Sequence, residues 1–256
     1  MNVEPSFLTL PARTAKPRRS GITHVIDSGL PVTTVASLLE VSGRCVDVWK
    51  LGWGTAYLDP GLADKLVVLA DHGVLSCTGG TLLEVAWQQD VVEPYLDWAA
   101  AAGIPCLEVS RGVAAMPPAD KWALIERAAE RFIVFAEVGA KDPRAPVDAA
   151  DWAREAAADL DAGATWVVTE GRESGTVGLF TAEGEVRDDV VDAVVDAVGI
   201  GTVVFEAPQK SQQAWLIRRF GCDVNLANVS PGDALGLEAL RLGLRADTFD
   251  ARVRTP

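Results

Sequence analysis

Acidic and basic side chains that follow short apolar runs are the residues of this 256-residue chain best able to do chemistry. One such stretch, TVVFEAPQKSQQ at residues 202–213, begins with a β-branched run typical of a buried parallel strand. Glu206, Gln209, Lys210 and Ser211 follow that run within a few residues. Because polar groups that gather where a buried strand ends are typical of a ligand site at the edge of a sheet, this stretch predicts one wall of such a site.

The same arrangement recurs along the chain. Apolar runs that predict strands lie at 23–27, 46–51, 74–78, 106–110, 132–138, 165–169, the start of 202–213, and 223–226. Helical patterns lie between them at 32–41, 81–89, 91–102, 118–130 and 147–162, and another follows at 231–243. Alternating strands and helices indicate parallel βα units, and eight of them in this length predict an α/β fold, a single (β/α)8 TIM barrel. An open doubly wound sheet is less favoured, because no G-x-G-x-x-G follows the first strand.

One further expectation concerns the start of a helix. Thr81, with Glu84 three residues later, has the spacing of a capping box at the start of a helix.

Residues 21–250 form the predicted catalytic barrel, and residues 1–20 form an N-terminal leader rich in Arg and Lys. The leader either packs on the barrel or a neighbouring subunit, or acts as a basic arm that closes over an anionic ligand.

Barrel closure would bring the polar residues at the strand ends to one rim, where barrel enzymes hold their chemistry. These residues are Asp27, Lys50, Thr78, Glu108, Ser110, Arg111, Glu137, Lys141, Glu170, Arg172, Glu206, Lys210, Asn225 and Asn228. One strand-end glutamate could be a structural ion pair, but Glu137, Glu170 and Glu206 at equivalent positions favour catalytic or metal contact. His24 and His72 lie away from the strand ends, which predicts structural roles and disfavours a histidine base.

Composition limits the classes of partner. The formal net charge of −13 excludes nucleic acid and anionic membranes as favoured partners, so an anionic small-molecule substrate needs a local cationic pocket. The absence of a signal peptide and of a long apolar run leads us to expect a cytoplasmic protein. Cys45, Cys77, Cys106 and Cys222 form no C-x-x-C pair and predict buried, reduced thiols. Cations beside carboxylates favour a phosphate or carboxylate substrate together with Mg²⁺.

Several longer blocks resemble the phosphosulfolactate synthase family. They include KLGWGT at 50–55, EVGAKDP at 137–143, EGRESG at 170–175 and FEAPQKSQQAWLI at 205–217, and the resemblance covers about residues 21–249. It implies a Mg²⁺-dependent Michael-type addition of sulfite to phosphoenolpyruvate, followed by protonation at C2 to give 2-phospho-3-sulfolactate. In archaea this reaction opens a route to coenzyme M. The family also implies a homo-oligomer, with trimers the best-known case.

The resemblance also implies roles for individual residues. Lys141 matches the proton donor proposed for the family, and crowding by other cations would lower its pKa. The candidates are Lys141, Glu137 and Arg172 for catalysis; Lys50, Arg172, Lys210, Ser211, Gln209, Arg111 and Asn228 for substrate binding; and Asp27, Glu170 and Glu206 for the metal.

Two positions depart from the family pattern, with Ser28 in place of a lysine and Arg111 in place of an aspartate. One alternative is therefore a paralogue that adds a different nucleophile to phosphoenolpyruvate or to a similar acid. A second alternative is a non-catalytic, stress-associated protein such as the plant relatives linked to heat tolerance.

Overall fold

Eight parallel strands form a closed barrel in the computed structural model, which describes residues 7–142, 144, 146–172 and 174–253. Each strand pairs with its neighbour in sequence, and the eighth pairs with the first. The strands are β1 Thr23–Asp27, β2 Val48–Leu51, β3 Leu75–Thr78, β4 Cys106–Val109, β5 Ile133–Val138, β6 Trp166–Thr169, β7 Val203–Glu206 and β8 Asn225–Val229. The predicted (β/α)8 TIM barrel is confirmed.

Helices cover the outside of the barrel. They are α1 Val32–Ser42, α2 Thr55–Leu58, α3 Leu62–Asp71, α4 Gly80–Gln88, α5 Val92–Ala102, α6 Pro118–Ala129, α7 Ala149–Asp161, α8 Asp188–Val198, α9 Lys210–Phe220 and α10 Ala234–Arg241. Short 3-10 turns lie at Gly43–Cys45, Pro231–Asp233 and Ala246–Val253. Among the described helices, none is both long and apolar enough to cross a membrane.

Strand β8 begins and ends later in the chain than predicted: the sequence predicts a strand at 223–226, and the structure has it at Asn225–Val229. Asn225 and Asn228 were expected at its end, but both belong to the strand. Asn225 Oδ1 accepts a hydrogen bond from the Ile22 amide, and its Nδ2 donates to the Val203 carbonyl. These bonds satisfy a polar side chain inside the barrel, far from the rim where the sequence placed it.

The predicted capping box at Thr81 is wrong. Helix α4 begins one residue earlier, after Gly79, and has no side-chain cap. The carboxylate of Glu84 instead accepts hydrogen bonds from the loop that follows β4. A capping box does occur at the start of α9, between Gln209 and Gln212.

The barrel interior is packed with apolar side chains below the strand ends, including Val48, Cys106, Phe135 and Val204. His24 lies against the Phe135 ring with 5.1 Å between centroids, and burial holds its pKa well below the usual value. The structural role predicted for His24 therefore fits its position. Cys45, Cys77 and Cys106 are buried as predicted, whereas Cys222 is only partly buried.

The described part of the leader, residues 7–20, packs at the N-terminal ends of the strands. Lys16 Nζ donates to the carbonyls of Gly43 (3.0 Å), Val46 (2.6 Å) and His72 (3.3 Å). Arg18 pairs with Asp47 just before β2 at 2.9 Å. These contacts lie at the opposite end of the barrel from the predicted site. Of the two roles expected for the leader, they fit packing on the barrel and not an arm that closes over a ligand.

We expect Lys16→Met to lower the free energy of unfolding by about 1–3 kcal/mol, because three carbonyls lose a common donor. Urea unfolding measures this change, and Arg19→Met at an exposed neighbouring position is the matched control. Equal stability of the two variants would show that the Lys16 bonds contribute nothing.

Candidate active site

The carboxyl ends of the strands surround a pocket of about 190 Å³. It is lined by Ile26, Lys50, Trp53, Gly79, Gly80, Thr81, Glu108, Val113, Glu137, Lys141, Glu170, Arg172, Glu206 and Asn228. The ionisable residues among them are four carboxylates and three cations. All seven of these ionisable residues are among those that the sequence placed at the strand ends.

Lys50 is the buried cation of the pocket, and its side chain is 5% exposed. Its Nζ lies 3.0 Å from Glu108 Oε1 and 3.1 Å from Glu206 Oε1. Burial alone would lower the pKa of Lys50, but these two carboxylates and Glu137 outweigh it and raise the pKa well above its usual value. Lys50 therefore stays protonated and joins β2 to β4 and β7 beneath the pocket.

Glu206 shapes the loop that follows β6. Its Oε2 accepts hydrogen bonds from the amides of Gly171 and Arg172, each at 2.9 Å. Glu170 Oε1 accepts a further bond from the Arg172 amide at 2.7 Å. Arg172 adopts a left-handed backbone with φ of 56°, which these bonds stabilise. Sequence analysis missed this role, because no local spacing links residues so far apart in the chain.

Lys141 reaches the pocket from the loop after β5. Its Nζ lies 3.2 Å from Glu137 Oε1 and 3.9 Å from Glu170 Oε2. Burial alone would lower the pKa of Lys141, but the nearby carboxylates, Glu137 first, raise it above its usual value. The expected lowering of this pKa is therefore wrong, because the closest charged groups are carboxylates and not cations.

Two buried carboxylate oxygens in the pocket lack hydrogen-bond partners, Glu137 Oε1 and Glu170 Oε2. The ion pair of Glu137 with Lys141 is close in distance but lacks hydrogen-bond geometry. Burial, followed by the charges of Glu137 and Glu206, raises the pKa of Glu170 well above its usual value. The site can therefore take up positive charge at these oxygens, as a proton or as a cation.

Oxygens of Glu108, Glu137 and Glu206 also lie within 4.8 Å of one another, a spacing suited to a metal ion. Both oxygens of Glu108 are already bonded, to Lys50 and to the Gly80 amide. Those of Glu206 are also occupied, by Lys50 and by backbone amides. We therefore regard Glu137 and Glu170, each of which has one oxygen without a hydrogen-bond partner, as the better candidate metal ligands.

Asp27 is not available as a metal ligand, which corrects the prediction for this residue. Its Oδ1 accepts bonds from the Gly29 and Leu30 amides, both at 2.7 Å. Its Oδ2 accepts from Trp49 Nε1 and from the buried amine of Lys65, both at 3.0 Å. Asp27 thus fixes the loop after β1 and neutralises a buried lysine that sequence analysis did not identify.

The structure does not bring Gln209, Lys210 and Ser211 to the pocket. The chain leaves the rim after β7, so these residues lie at the start of α9. Lys210 is half exposed and pairs with Asp247 at 3.0 Å. Gln209 and Ser211 border a separate surface cavity together with Glu183 and other residues. Their predicted substrate contact is wrong for this arrangement.

Arg111 also points away from the pocket and forms a bidentate pair with Glu155 of α7 at 2.9 and 2.7 Å. Thr78 faces outward too, and its Oγ1 lies 2.6 Å from Tyr95 Oη. Asn228 does line the pocket, with φ of 54° and a buried Oδ1 that has no hydrogen-bond partner. The position of Asn228 is therefore compatible with its predicted substrate contact, whereas the position of Arg111 is not.

We expect the stability of the protein to fall as the pH rises above the usual glutamate range. The folded state keeps a proton on Glu170 where the unfolded chain has already lost it, so deprotonation favours unfolding. Glu170→Gln cannot titrate and should flatten this dependence. Urea unfolding across the acidic to neutral range, in the presence of a chelator, measures it. Parallel profiles for the two proteins would contradict the raised pKa.

Comparison with known proteins gives one consistent result. The pattern of the family described as (2R)-phospho-3-sulfolactate synthase (ComA) matches residues 11–247. The phosphosulfolactate synthase of Methanothermobacter thermautotrophicus is 40% identical over 249 residues, 95% of this chain and 96% of the relative. The protein of the same name from Bacillus subtilis is 38% identical, over 94% of this chain and 97% of the relative.

More distant similarities also span most of the chain. The Arabidopsis thaliana protein HEAT-STRESS-ASSOCIATED 32 is 23% identical, over 90% of this chain and 88% of the relative. A solved structure of 3-hexulose-6-phosphate synthase from Salmonella typhimurium superposes with a TM-score of 0.55 at 14% identity, over 90% of this chain and 98% of that one. At that identity the likeness concerns the barrel fold alone.

Proposed function

Because the chain belongs to the phosphosulfolactate synthase family, we propose that it is an enzyme that adds sulfite to phosphoenolpyruvate to give 2-phospho-3-sulfolactate. The observation that carries the proposal is the similarity to named synthases along almost the whole chain. The pocket supports it, because Lys50, Lys141 and Arg172 provide positive charge for anionic substrates in a protein whose net charge is −13.

The chemistry needs no activated side-chain nucleophile. The sulfur lone pair of sulfite attacks the terminal carbon of the double bond, a carbon–sulfur bond forms, and the π electrons move toward the substrate carboxylate. Arg172 and Lys141 line the pocket, and as cations they would stabilise that negative charge. Lys50 has three donors, two of which face Glu108 and Glu206, so a third is available for a substrate oxygen.

Lys141 then supplies the proton that C2 needs. The Glu137 carboxylate, the first of the nearby charges that raise the pKa of Lys141, holds its amine in the protonated form, so the proton is in place when substrate binds. The acceptor is a carbanion-like centre that is far more basic than an amine. A lysine with a raised pKa therefore still transfers its proton downhill, and Glu137 orients the amine that does so.

A magnesium ion fits this pocket. Mg²⁺ prefers oxygen ligands and is commonly held by one or two protein carboxylates together with substrate oxygens. Glu137 Oε1 and Glu170 Oε2 are buried oxygens without hydrogen-bond partners, and they would hold it. When bound, the ion would stabilise negative charge on the substrate carboxylate and phosphate.

The alternatives are less well supported. Arg111 prompted the idea of a different nucleophile, yet it pairs with Glu155 outside the pocket, and Ser28 lines a neighbouring cavity. The heat-stress relative is less similar than the synthases, and three cations, Lys50, Lys141 and Arg172, line the pocket. We further propose that the enzyme is a cytoplasmic homo-oligomer, and light scattering would test whether it is a trimer. We also propose that its product feeds sulfonate biosynthesis, of which coenzyme M biosynthesis is one route.

Lys141→Met should abolish product formation and leave phosphoenolpyruvate binding largely intact, because the variant keeps the apolar stem and loses the proton. Mass spectrometry of reactions with phosphoenolpyruvate, sulfite and Mg²⁺ measures turnover. Lys210→Met, at an exposed position outside the pocket, is the matched control and should react like the wild type. Wild-type-like turnover by Lys141→Met would refute the role of this lysine.

Glu137→Gln and Glu170→Gln should each weaken Mg²⁺ binding by about tenfold or more, because each removes a charged oxygen ligand. Isothermal titration calorimetry with MgCl₂ measures the affinity without any need for turnover. Glu183→Gln, an exposed carboxylate elsewhere, should bind like the wild type. Unchanged affinity in both pocket variants would exclude these residues as ligands.

A further inference from the structure

We propose that residues 110–114, the loop that follows β4, act as a clamp that positions Lys141, and that Glu84 anchors the clamp. We call this segment the β4 loop. The inference deepens the proposed function and rests on it in one respect, the role of Lys141 as proton donor. Its structural part, the control of the Lys141 side chain by the loop, stands on contacts alone.

The β4 loop touches Lys141 through Gly112. A Cβ atom at Gly112 would lie 2.9 Å from Lys141 Cγ, 3.2 Å from Cδ and 3.3 Å from Cε. The backbone of Gly112 therefore lies directly against the aliphatic stem, with no room for a side chain between them. A lysine stem has four rotatable bonds, so close packing along its length restricts where the amine can point.

Glu84 holds the loop from the side of α4. Its side chain is buried, and its Oε2 accepts hydrogen bonds from the amides of Val113 at 2.8 Å and Ala114 at 2.5 Å. Its Oε1 accepts a bond from Ser110 Oγ. One carboxylate thus fixes both flanks of Gly112, and charge-assisted bonds of this kind are stronger than neutral ones.

A second set of contacts holds the loop from the side of α7. Arg111 pairs with Glu155, and Glu155 also accepts a bond from the buried amine of Lys121 at 2.8 Å. Lys121 in turn donates to the backbone carbonyl of Glu137 at 2.8 Å. The loop that confines Lys141 is therefore tied to the strand that carries Glu137, the carboxylate that faces the Lys141 amine.

Neither Glu84 nor Arg111 lines the pocket, so both are positioning residues and not catalytic ones. Their effect reaches the substrate through the location of one amine. A donor that is misplaced by about 1 Å can cost about a hundredfold in rate while substrate binding is preserved. The clamp therefore predicts effects on kcat that are not matched in KM.

Gly112→Ala is the direct test. The added methyl group must displace the Lys141 stem, and we expect kcat to fall by about tenfold to a hundredfold while KM for phosphoenolpyruvate changes less than about twofold. Gly201→Ala is the matched control, because a Cβ there meets nothing within 4 Å and lies far from the pocket. Equal kcat in the two variants would overturn the proposal.

Glu84 is tested by a pair of variants. Glu84→Gln can still accept from the loop amides with its Oε1 and can bond Ser110 Oγ with its Nε2, so it should retain most of kcat. Glu84→Ala loses all three bonds and should lose kcat as Gly112→Ala does, with KM again little changed. A fall in melting temperature alone, with kcat intact, would make Glu84 merely structural and refute the clamp.

Two further measurements separate this inference from the proposed function. Wild-type protein that does not turn over phosphoenolpyruvate and sulfite refutes the function and leaves the clamp to be judged on structure. Crystal structures of wild type and Gly112→Ala then decide it, by whether the Lys141 amine moves away from Glu137. Hydrogen exchange of the Val113 and Ala114 amides should accelerate in Glu84→Ala, and unchanged exchange together with an unmoved amine would refute the clamp.

Discussion

The arrangement of the active site depends on the buried ion pairs of Lys50 with Glu108 and Glu206. These contacts connect three strands of the barrel through one amine. Removing one partner of a buried pair typically costs about 3–5 kcal/mol, since the remaining charge stays buried without compensation. Each carboxylate also binds backbone amides, Glu108 at the start of α4 and Glu206 in the loop after β6. The same charges that neutralise the lysine therefore shape the walls of the pocket.

The pocket divides its carboxylates between two tasks. Glu108 and Glu206 have both oxygens engaged by the protein, whereas Glu137 and Glu170 each keep one oxygen without a hydrogen-bond partner. Charged groups with no partner are costly to bury, which explains why Glu170 holds its proton more tightly than an ordinary glutamate. The carboxylate oxygens without hydrogen-bond partners therefore lie beside Lys141, where the proposed reaction needs cations.

The sequence was sufficient for the barrel and for the charged strand ends, because hydrophobic periodicity and strand-end polarity are local signals. It was misleading for Lys210. This residue belongs to the distinctive FEAPQKSQQAWLI block, but its position in α9 turns it to solvent. The sequence also failed for Asp27 and Arg111, because each has a partner, Lys65 or Glu155, that lies on a helix remote in sequence. Whether the pKa of Lys141 is raised or lowered depends on which charges surround its amine, and only the folded arrangement shows that these are carboxylates.

The pairing of Lys50 with Glu206 also has a consequence for biosynthesis. The two residues are separated by 156 positions, and β1 finds its second neighbour only in β8. A ribosome must therefore release most of the chain before this lysine can be neutralised or the barrel can close. Contacts so distant in sequence slow folding and leave strand edges exposed in the meantime. The nascent chain is therefore most prone to aggregation before the last strand has emerged.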